Sequence, residues 1–556
     1  MKNEKLKHIT IIATTDVHGN IMGYNYEKVS NEINGGLRKV KAYIEKVRKE
    51  NPNTILVDNG DIIQGTMLTD DFLIKNWNLN NPVISAMNSI GYSAMTLGNH
   101  EFNFGIDALK KIEREAIFPF ISANVIYQDN LKTLVKPYSI IEVDGVKIGI
   151  VGLTTTNVSR WLGRSISNLK FIDYEKALNI YLEEVKQNSD VIFLMAHSGL
   201  DGEYDSVNNK DGVRNIIELH PEIDIAMVGH YHITVKEKIG NTLVGGATDS
   251  GREVVRYDLI LNENNKIEDK KVEIISMSEI IGDDNKFDNI LSVKIANERT
   301  IKMSNEIIGI STNDFQPQDE IQWISEGRLR ATPLIQLVNY IQLMESGADV
   351  SATSLIREGA DIKKGFIRYG DIYNIYKFNT KLYVVEVTAR ELLNYMEWTA
   401  LAYNEFKKGD LSISFSWDVP GYQQDIFSGI EYKIDISKPK NNRIKDVKYK
   451  GRYLKDTDII RLAISDYSYN SNLVGRNITK NDPIWESSIL VRDMIVSYIR
   501  KTNIISPENI KNWEIIGYEF DEKLREKAIS LVRNGKLEIP YDKSLNIEDL
   551  KRIAEM

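Results

Sequence analysis

Residues 15–20 read Thr-Asp-Val-His-Gly-Asn, and they follow the apolar run Ile-Thr-Ile-Ile-Ala-Thr of residues 9–14. An apolar run with β-branched residues that ends in a turn containing Asp and Gly predicts a buried strand with polar side chains at its carboxyl end. Asp16 and His18 are two positions apart, so both side chains can turn toward one point. One carboxylate and one imidazole suit a borderline divalent cation such as zinc, manganese or iron.

The same pattern recurs four times further along the chain. Each time a predicted apolar strand leads into a turn with polar side chains: Thr54–Asp58 into Asp61, Ser93–Leu97 into Asn99 and His100, Val191–Met195 into His197, and Ile225–Val228 into His230 and His232. Helical patterns lie between several of these strands, which is typical of an α/β layered domain. Such sheets bind ligands beyond the carboxyl ends of their strands, so we expect these turns to meet at one edge.

Five of the seven histidines of the chain fall in these turns. Any one of them is as readily explained as a core or loop residue, but their shared position at strand ends indicates a metal site. Two divalent ions about 3.5–4 Å apart, held by a bridging carboxylate and capping imidazoles, can hydrolyse a phosphoester. The ligand types leave the metal open among manganese, zinc, iron, cobalt and magnesium.

We assign the candidate ligands to two ions. Asp61 is expected to bridge them, with Asp16, His18 and His232 on one ion and Asn99, His197 and His230 on the other. A hydroxide shared by both ions is the expected nucleophile, because coordination lowers the pKa of water. His100 follows a candidate ligand directly, so we expect it at the pocket rim, where it would stabilise developing charge or protonate the leaving oxygen.

Composition limits the classes of partner. The 556 residues exceed the size of a single domain, and the net charge of −9 argues against nucleic-acid polymers and anionic membranes as main partners. Small phosphate compounds stay compatible, since metal ions supply positive charge locally. The absence of cysteine excludes disulfides and thiolate metal sites. No apolar signal region is evident, so we expect a cytoplasmic protein, with a secreted protein that has lost its leader as the alternative.

Composition and pattern also predict the domain organisation. We expect an α/β domain over residues 1–285, a helical linker over 286–310, an α+β domain over 311–520 and a charged helical tail over 521–556. The apolar spacing between Glu326 and Glu345 predicts one long amphipathic helix in the third of these segments.

The ordered sequence blocks also carry a family resemblance. Asp-x-His, Gly-Asp, Gly-Asn-His-Glu, Ala-His-Ser-Gly and Gly-His-x-His, which end at His18, Asp61, Glu101, Gly199 and His232, resemble the five blocks of the calcineurin-like metallophosphoesterases. The longer blocks around the first three are similar to those of bacterial 2′,3′-cyclic-nucleotide 2′-phosphodiesterase/3′-nucleotidases, which are relatives of the 5′-nucleotidases. The resemblance implies a four-layer α/β/β/α domain followed by an α+β 5′-nucleotidase-type domain. It also implies hydrolysis of 2′,3′-cyclic nucleotides to 3′-nucleotides, and then to nucleoside and phosphate.

Two positions bear on the choice of branch. The 5′-nucleotidase branch usually supports the histidine equivalent to His100 with an Asp where this chain has Asn103, and its bacterial members often have Gln where this chain has His232. Both differences favour the cyclic phosphodiesterase branch. Asn103 can orient an imidazole by hydrogen bonding but cannot offset its positive charge, and the alternative is that it is only a turn residue.

The resemblance implies that the C-terminal domain holds the base between two aromatic rings. Phe378 and Tyr467 match the two aromatic positions, with Tyr376 and Tyr469 as competitors and plain core packing as the alternative for all four. Arg357 lies where relatives place an arginine after a Gly-Gly-Ile turn. The corresponding turn here, residues 354–356, is Ser-Leu-Ile, so a substrate contact from Arg357 is the weakest of these assignments.

Three functions therefore stay open. The leading one is the cyclic phosphodiesterase and 3′-nucleotidase activity on small-molecule nucleotides. The nearest alternative is a 5′-nucleotidase or nucleotide-sugar hydrolase with the same metal chemistry. A non-catalytic scaffold is the third, but such a protein is expected to have lost ligands, and this chain has the full set.

Overall fold

The computed structural model describes residues 6–30, 34–70, 76–202, 211–282, 287, 289–322 and 324–555. The chain divides into two compact units, Met1–Met303 and Ser304–Met556, at a point within the predicted linker. Within that linker lies the helix Leu291–Ser304, and the strand that follows it belongs to the second unit. The predicted boundary at residue 285 falls among residues 283–286, which lie outside the described residues.

Unit 1 is built from strands that alternate with helices. Its strands in chain order are β1 Lys7–Thr14, β2 Thr54–Asp58, β3 Ala94–Thr96, β4 Phe120–Ile121, β5 Val125–Tyr127, β6 Tyr138–Val143, β7 Val146–Thr154, β8 Leu169–Phe171, β9 Val191–His197, β10 Ile225–Val228, β11 Val235–Ile239, β12 Thr242–Gly246, β13 Glu253–Leu261 and β14 Ile267–Ser276. Its described α-helices are Leu37–Glu50, Pro82–Ile90, Ile106–Glu115, Val158–Leu162, Tyr174–Asn188, Arg214–Leu219 and Leu291–Ser304.

Most of these strands form two six-stranded sheets, with the orders β14-β13-β1-β2-β3-β4 and β11-β12-β10-β9-β7-β6. The inward faces share one buried apolar cluster, in which Ile11 and Val57 of the first sheet accompany Phe193 and Met227 of the second. Helix Tyr174–Asn188 packs its apolar side against the outer face of the second sheet. The predicted four-layer α/β/β/α architecture is confirmed.

Local sequence explains where the helices begin and end, and Pro82–Ile90 is an example. The Asn81 side chain accepts hydrogen bonds from the backbone N–H groups of residues 83 and 84, and Pro82 occupies the first turn, where its missing N–H is not needed. Gly91 ends the helix with a φ of 82°, a conformation that glycine adopts without a steric penalty.

Parallel pairing brings the candidate ligands to one edge. Strands β1, β2 and β3 are parallel neighbours, as are β9 and β10 in the second sheet. Their carboxyl ends lead into the five polar turns quoted above. Because parallel strands end at the same edge of a sheet, the turns of each sheet lie side by side.

Unit 2 is an α+β domain, as predicted. Its strands are β15 Ile307–Ser311, β16 Val350–Thr353, β17 Gly365–Arg368, β18 Lys381–Thr388, β19 Ile426–Ser428, β20 Ile430–Asp435, β21 Ile444–Tyr449, β22 Arg452–Tyr453, β23 Ile459–Ser465, β24 Pro483–Leu490, β25 Ile504–Ile505 and β26 Trp513–Ile516. They form sheets with the orders β17-β15-β25, β19-β16-β23-β18-β24 and β22-β21-β20-β26. The described α-helices are Glu326–Leu329, Pro333–Ser346, Tyr369–Ile375, Ala389–Thr399, Asp466–Ser468, Val491–Thr502, Glu522–Arg533 and Ile547–Glu555.

The prediction of a single helix over Glu326–Glu345 is wrong. Two helices occupy this stretch, and residues 330–332 separate them. Thr332 is extended, with φ −118° and ψ 149°, because the ring of Pro333 disfavours a helical conformation in the preceding residue. The apolar spacing continues across the break, so periodicity alone did not reveal it.

The C-terminal tail packs on unit 2. Leu545 is buried, and its carbonyl oxygen accepts a hydrogen bond of 2.6 Å from the backbone N–H of Leu411. The tail was predicted to be helical, and its two helices, Glu522–Arg533 and Ile547–Glu555, are attached to the domain by a segment with core contacts. Across the described parts of both units, none of the helices combines the length and the apolar character that crossing a bilayer requires.

Candidate metal centre

The candidate ligands of unit 1 converge in overlapping groups. Atoms able to bind a metal lie within 4.8 Å of one another in three sets: Asp16, His18 and His232; Asp61, His197 and His230; and His18, Asp61 and His100. Asn99 joins the second set, since its Oδ1 lies 3.2 Å from Nε2 of His197. All seven predicted ligands and His100 are thus brought together from turns that are far apart in sequence.

Asp16 is fully buried, and its two oxygens have different surroundings. Oδ2 accepts hydrogen bonds from the Thr15 hydroxyl at 2.6 Å and from the backbone N–H of His230 at 3.0 Å. Oδ1 has no hydrogen-bond donor within the described structure and lies 3.2 Å from Nε2 of His232. A buried carboxylate oxygen that faces only imidazole nitrogens is what a cation site requires.

Asp61 repeats this arrangement. Its Oδ1 accepts a hydrogen bond of 2.7 Å from the backbone N–H of His100, which holds the carboxylate in place. Its Oδ2 lies 3.0 Å from Nε2 of His197 and 3.9 Å from Nε2 of His100. Because Asp61 belongs to two of the three groups, one with His18 and the other with His197, it has the position expected of a bridging ligand.

Backbone carbonyl groups orient two of the imidazoles. The Nδ1 atom of His18 lies 2.8 Å from the carbonyl oxygen of Gln64, and that of His197 lies 2.6 Å from the carbonyl oxygen of Asn59. A carbonyl oxygen can only accept, so Nδ1 carries a proton in both rings, and Nε2 is the nitrogen directed at the candidate metal site. The Nε2 atoms of His18 and His232 face each other at 3.0 Å.

Five candidate ligands have backbone conformations that side chains disfavour. The φ angles of Asp16, His18, Asp61, His230 and His232 lie between 50° and 72°. A non-glycine residue in this left-handed region costs about 1–2 kcal/mol. Such outliers persist where the surroundings over-determine them, and they concentrate at functional sites. Their presence at five of the seven predicted ligands marks this edge as a built site.

The electrostatics of the pocket favour bound cations. Burial works against the charged form of His197, yet the carboxylates of Asp61 and Asp16 raise its pKa to about 10. Burial likewise opposes ionisation of Asp61, but the charge of His197 and its hydrogen bond to Asp61 hold the Asp61 pKa well below the usual range. Two buried carboxylates therefore create a negative potential that a protonated imidazole or a divalent cation can offset. The donor set thus fits divalent metal ions.

His100 differs from the other imidazoles. Burial lowers its pKa to about 3, against the opposing charge of Asp61, so the ring is neutral. Its buried Nδ1 has no hydrogen-bond partner among the described residues. The hydrogen bond expected from the Asn103 side chain is not formed, and the contact between the two residues is a backbone bond from the Asn103 N–H to the His100 carbonyl. The 3₁₀ turn His100–Phe102 sets this geometry, because it makes Asn103 its final cap.

Neighbouring side chains that the sequence did not single out also shape the site. The centroid of the Trp161 ring lies 5.3 Å from that of the His230 ring, and the Tyr231 ring stacks on the His230 ring with a centroid distance of 5.6 Å. Glu101, the last residue of the Gly-Asn-His-Glu block, is fully buried. Its place beside His100 in that block was the available signal, whereas no sequence pattern pointed to Trp161.

Comparison with known proteins identifies both units. The family model of calcineurin-like phosphoesterases matches residues 9–234, and that of the 5′-nucleotidase C-terminal domain matches residues 308–474. The chain therefore combines a calcineurin-like phosphoesterase domain with a 5′-nucleotidase C-terminal domain. The resemblance read from the sequence blocks is therefore confirmed.

Relatives of the chain include two bacterial proteins. It is 25% identical to the trifunctional nucleotide phosphoesterase protein YfkN of Bacillus subtilis. The match covers 91% of this chain but only 39% of YfkN, which is a longer protein. It is 24% identical to a 2′,3′-cyclic-nucleotide 2′-phosphodiesterase/3′-nucleotidase of Salmonella typhimurium, over 93% of this chain and 90% of that protein. A Staphylococcus aureus structure described as a 5′-nucleotidase shares the fold, with a TM-score of 0.79 and 22% identity over 92% of this chain and all of that one.

The 5′-nucleotidase C-terminal domain holds the remaining candidates. Phe378 and Tyr467 are half-buried, whereas their competitors Tyr376 and Tyr469 are only 3% and 4% exposed. The hydroxyl of Tyr376 accepts a hydrogen bond from Thr380, which is typical of a core tyrosine. Phe378 and Tyr467 therefore have the partial exposure that stacking on a base requires, whereas Tyr376 and Tyr469 do not.

Arg357 is placed differently from these aromatic residues. Its side chain donates a hydrogen bond of 2.5 Å to Oδ1 of Asn374, and this pair is solvent-exposed. That contact gives no evidence for or against binding of a substrate by Arg357, so the assignment of Arg357 stays a prediction.

Proposed function

We propose that this protein hydrolyses nucleotide phosphoesters with two divalent metal ions held at the carboxyl edge of unit 1. The proposed reactions are the opening of 2′,3′-cyclic nucleotides to 3′-nucleotides, in which water cleaves the 2′ ester, and the hydrolysis of 3′-nucleotides to nucleoside and phosphate. Asp16, His18 and His232 would hold one ion and Asn99, His197 and His230 the other, with Asp61 between them.

The observation that carries this proposal is the overlap of the ligand groups. Two sets of three donors lie side by side. The Asp61 carboxylate lies close to a donor atom of His18 in one group, and to donor atoms of His197 and His230 in another. A single ion would need only one such set. Two bound ions supply positive charge to the phosphoryl group and make water a usable nucleophile near neutral pH.

His100 is proposed to act as a neutral hydrogen-bond donor. Since its pKa is lowered to about 3, the ring is neutral at neutral pH and lacks the second proton that an acid would transfer to the leaving oxygen. Of the two roles expected for it, stabilisation of developing negative charge on the phosphoryl group is therefore favoured over protonation. Asn99 would present its Oδ1 to metal beside Nε2 of His197, which lies 3.2 Å away.

Nucleotides are the proposed substrates because of the C-terminal domain and the relatives. Phe378 and Tyr467 are half-buried and could each present a ring face, and an aromatic ring stacks on any base for about 1–3 kcal/mol. The relative from Salmonella typhimurium is named for 2′,3′-cyclic and 3′ substrates, and its length is nearly that of the matched region.

A 5′-nucleotidase activity is the second candidate. The match to the 5′-nucleotidase C-terminal domain supports it, and the Staphylococcus aureus structure has the same fold. This candidate keeps the metal site and the role of His100, and changes only which ester oxygen of the nucleotide leaves.

One experiment separates the two candidates. Phosphate release is measured with Mn²⁺ from 3′-AMP, 5′-AMP and 2′,3′-cyclic AMP, with chromatography to follow opening of the cyclic ring. We expect the highest kcat/KM for the cyclic and 3′ substrates. Preference for 5′-AMP would establish the second candidate, and no turnover of any of the three would contradict both.

A further inference from the structure

Glu101 connects two of the ligand turns. Its side chain is fully buried, and its carboxylate accepts three backbone hydrogen bonds. Oε2 accepts from the N–H of Asp61 at 2.8 Å and from the N–H of Gly98 at 2.7 Å, while Oε1 accepts from the N–H of Ile62 at 2.8 Å. Two of these donors lie in the turn that carries Asp61, and the third lies in the turn that carries Asn99 and His100.

A further bond runs in the opposite direction between the same turns. The backbone N–H of His100 donates to Oδ1 of Asp61 at 2.7 Å. The turns also approach so closely that a Cβ on Gly98 would lie 2.2 Å from Oδ1 of Asp61, which only glycine avoids. The backbone and the side chain of Asp61 are therefore both fixed from the neighbouring turn.

This attachment opposes a local strain. Asp61 has a φ of 60°, in the left-handed region that costs a non-glycine residue about 1–2 kcal/mol. Without the bonds from Glu101, the turn could relax toward a more favourable backbone conformation, and the carboxylate would leave its place beside Nε2 of His197, now 3.0 Å away. The hydrogen bonds that Glu101 accepts from the N–H groups of Asp61 and Ile62 oppose this relaxation.

We propose that Glu101 is a positioning residue that holds Asp61 in its metal-binding geometry and thereby sets the affinity of the site for divalent cations. This inference rests on the proposed function, because it assumes that Asp61 binds metal. Glu101 touches neither substrate nor metal in this scheme, and acts only through the two turns. Outer partners of metal ligands typically contribute about 10–100-fold to metal affinity.

The test compares the Mn²⁺-loaded full-length protein with its Glu101→Gln variant. Glutamine has the same shape, but its amide NH₂ would face backbone N–H donors at one end, so fewer of the three bonds can form. The Mn²⁺ retained is measured at increasing chelator concentration. We expect Glu101→Gln to release Mn²⁺ at about 10–100-fold lower chelator concentration than the wild type.

Glu397→Gln is the matched control. The Glu397 carboxylate accepts backbone hydrogen bonds of 2.9 Å from Arg443 and from Ile444, in unit 2. This variant removes the same kind of contact without touching a ligand turn, and it should retain Mn²⁺ as the wild type does. Equal loss of Mn²⁺ in both variants would contradict a specific role for Glu101.

Activity adds a readout that a general loss of structure would not reproduce. At saturating Mn²⁺ we expect kcat of Glu101→Gln to return to within a few-fold of the wild-type value, with KM for the nucleotide unchanged. If Glu101→Gln does not fold, Glu101→Asp, which keeps the charge and shortens the reach, should show the same direction of change.

The outcomes distinguish this inference from the proposed function. If the wild type and Glu101→Gln retain Mn²⁺ equally well, the inference alone is overturned. A wild-type protein that binds no Mn²⁺ would overturn the proposed function and this inference with it.

Discussion

The ligand edge of unit 1 and the two candidate stacking residues of unit 2, Phe378 and Tyr467, differ in how firmly each side chain is held. At the edge, Asp61 has its backbone and one carboxylate oxygen fixed by neighbouring turns, and the ring of His197 is oriented by a backbone carbonyl. In unit 2 the Tyr467 hydroxyl accepts a hydrogen bond of 3.0 Å from Gln423, and Phe378 is half-buried in a loop.

The difference corresponds to two kinds of recognition. Metal ligands need positions accurate to a fraction of an ångström, so the fold supplies several contacts for each. Stacking of a base on an aromatic ring tolerates small displacements, since every base has a π-face. Substitutions at the edge should therefore have large effects, and substitutions of Phe378 and Tyr467 smaller ones.

Asp61→Asn should have the largest effect. The amide keeps the shape and loses the negative charge that both ions would share, and metal-derived charge stabilisation is worth several kcal/mol. We expect kcat/KM for 3′-AMP to fall by about 10³-fold, with a loss of bound Mn²⁺.

Asp224→Asn is the control for that substitution. Asp224 precedes β10 at the opposite edge of the second sheet, where its carboxylate accepts a hydrogen bond of 2.9 Å from the Ile192 N–H. Full activity is expected for it. Comparable loss in both variants would show that activity falls when any hydrogen-bonded carboxylate of unit 1 is neutralised, and would remove the contrast between the two regions.

His100→Asn should lower kcat by about 10²-fold or more while Mn²⁺ content stays at the wild-type level, because His100 is proposed to act on the substrate rather than to bind metal. Steady-state kinetics and metal analysis of one preparation check this. Loss of Mn²⁺ would instead make His100 a ligand, in the group that it forms with His18 and Asp61.

Phe378→Ala and Tyr467→Ala should each raise KM for nucleotides by about 5–150-fold, the equivalent of 1–3 kcal/mol, with kcat and metal content little changed. Tyr376→Phe and Tyr469→Phe are the controls, since both tyrosines are buried and lose only a hydroxyl hydrogen bond. A comparable rise in KM from either control, which keeps its aromatic ring, would show that KM does not report stacking on Phe378 and Tyr467.

Arg357→Ala should have the smallest effect. The side chain is solvent-exposed and bonded to Asn374, and exposed polar contacts contribute about 0–1 kcal/mol, so KM should change by no more than about fivefold. A larger rise in KM, with unchanged thermal stability, would show that Arg357 contacts substrate despite its altered turn.

The sequence predicted the ligand edge well because a simple rule links it to structure. A buried strand ends in a polar turn, and parallel strands of one sheet end at the same edge, so Asp16 could be placed beside Asp61, and His197 beside His230, from the sequence. What holds the ligands could not be predicted in this way. The three backbone bonds to Glu101 and the φ of 60° at Asp61 depend on how two turns meet in space.

Two other expectations failed because of local backbone geometry. The helix predicted over Glu326–Glu345 is interrupted before Pro333, although the apolar spacing continues. The Asn103 side chain does not reach Nδ1 of His100, because the intervening 3₁₀ turn gives the two residues a backbone contact instead. In both cases residue types were interpreted correctly and the path of the chain between them was not.

The metal content of the full-length protein tests the central claim most directly. The chain is purified in Mn²⁺-supplemented buffer, and metal per chain is measured for the wild type beside Asp61→Asn and Asp224→Asn. Two Mn²⁺ ions per chain are expected in the wild type and in Asp224→Asn, with fewer in Asp61→Asn. A wild-type content near zero, or one unchanged by Asp61→Asn, would contradict a dinuclear centre bridged at this edge.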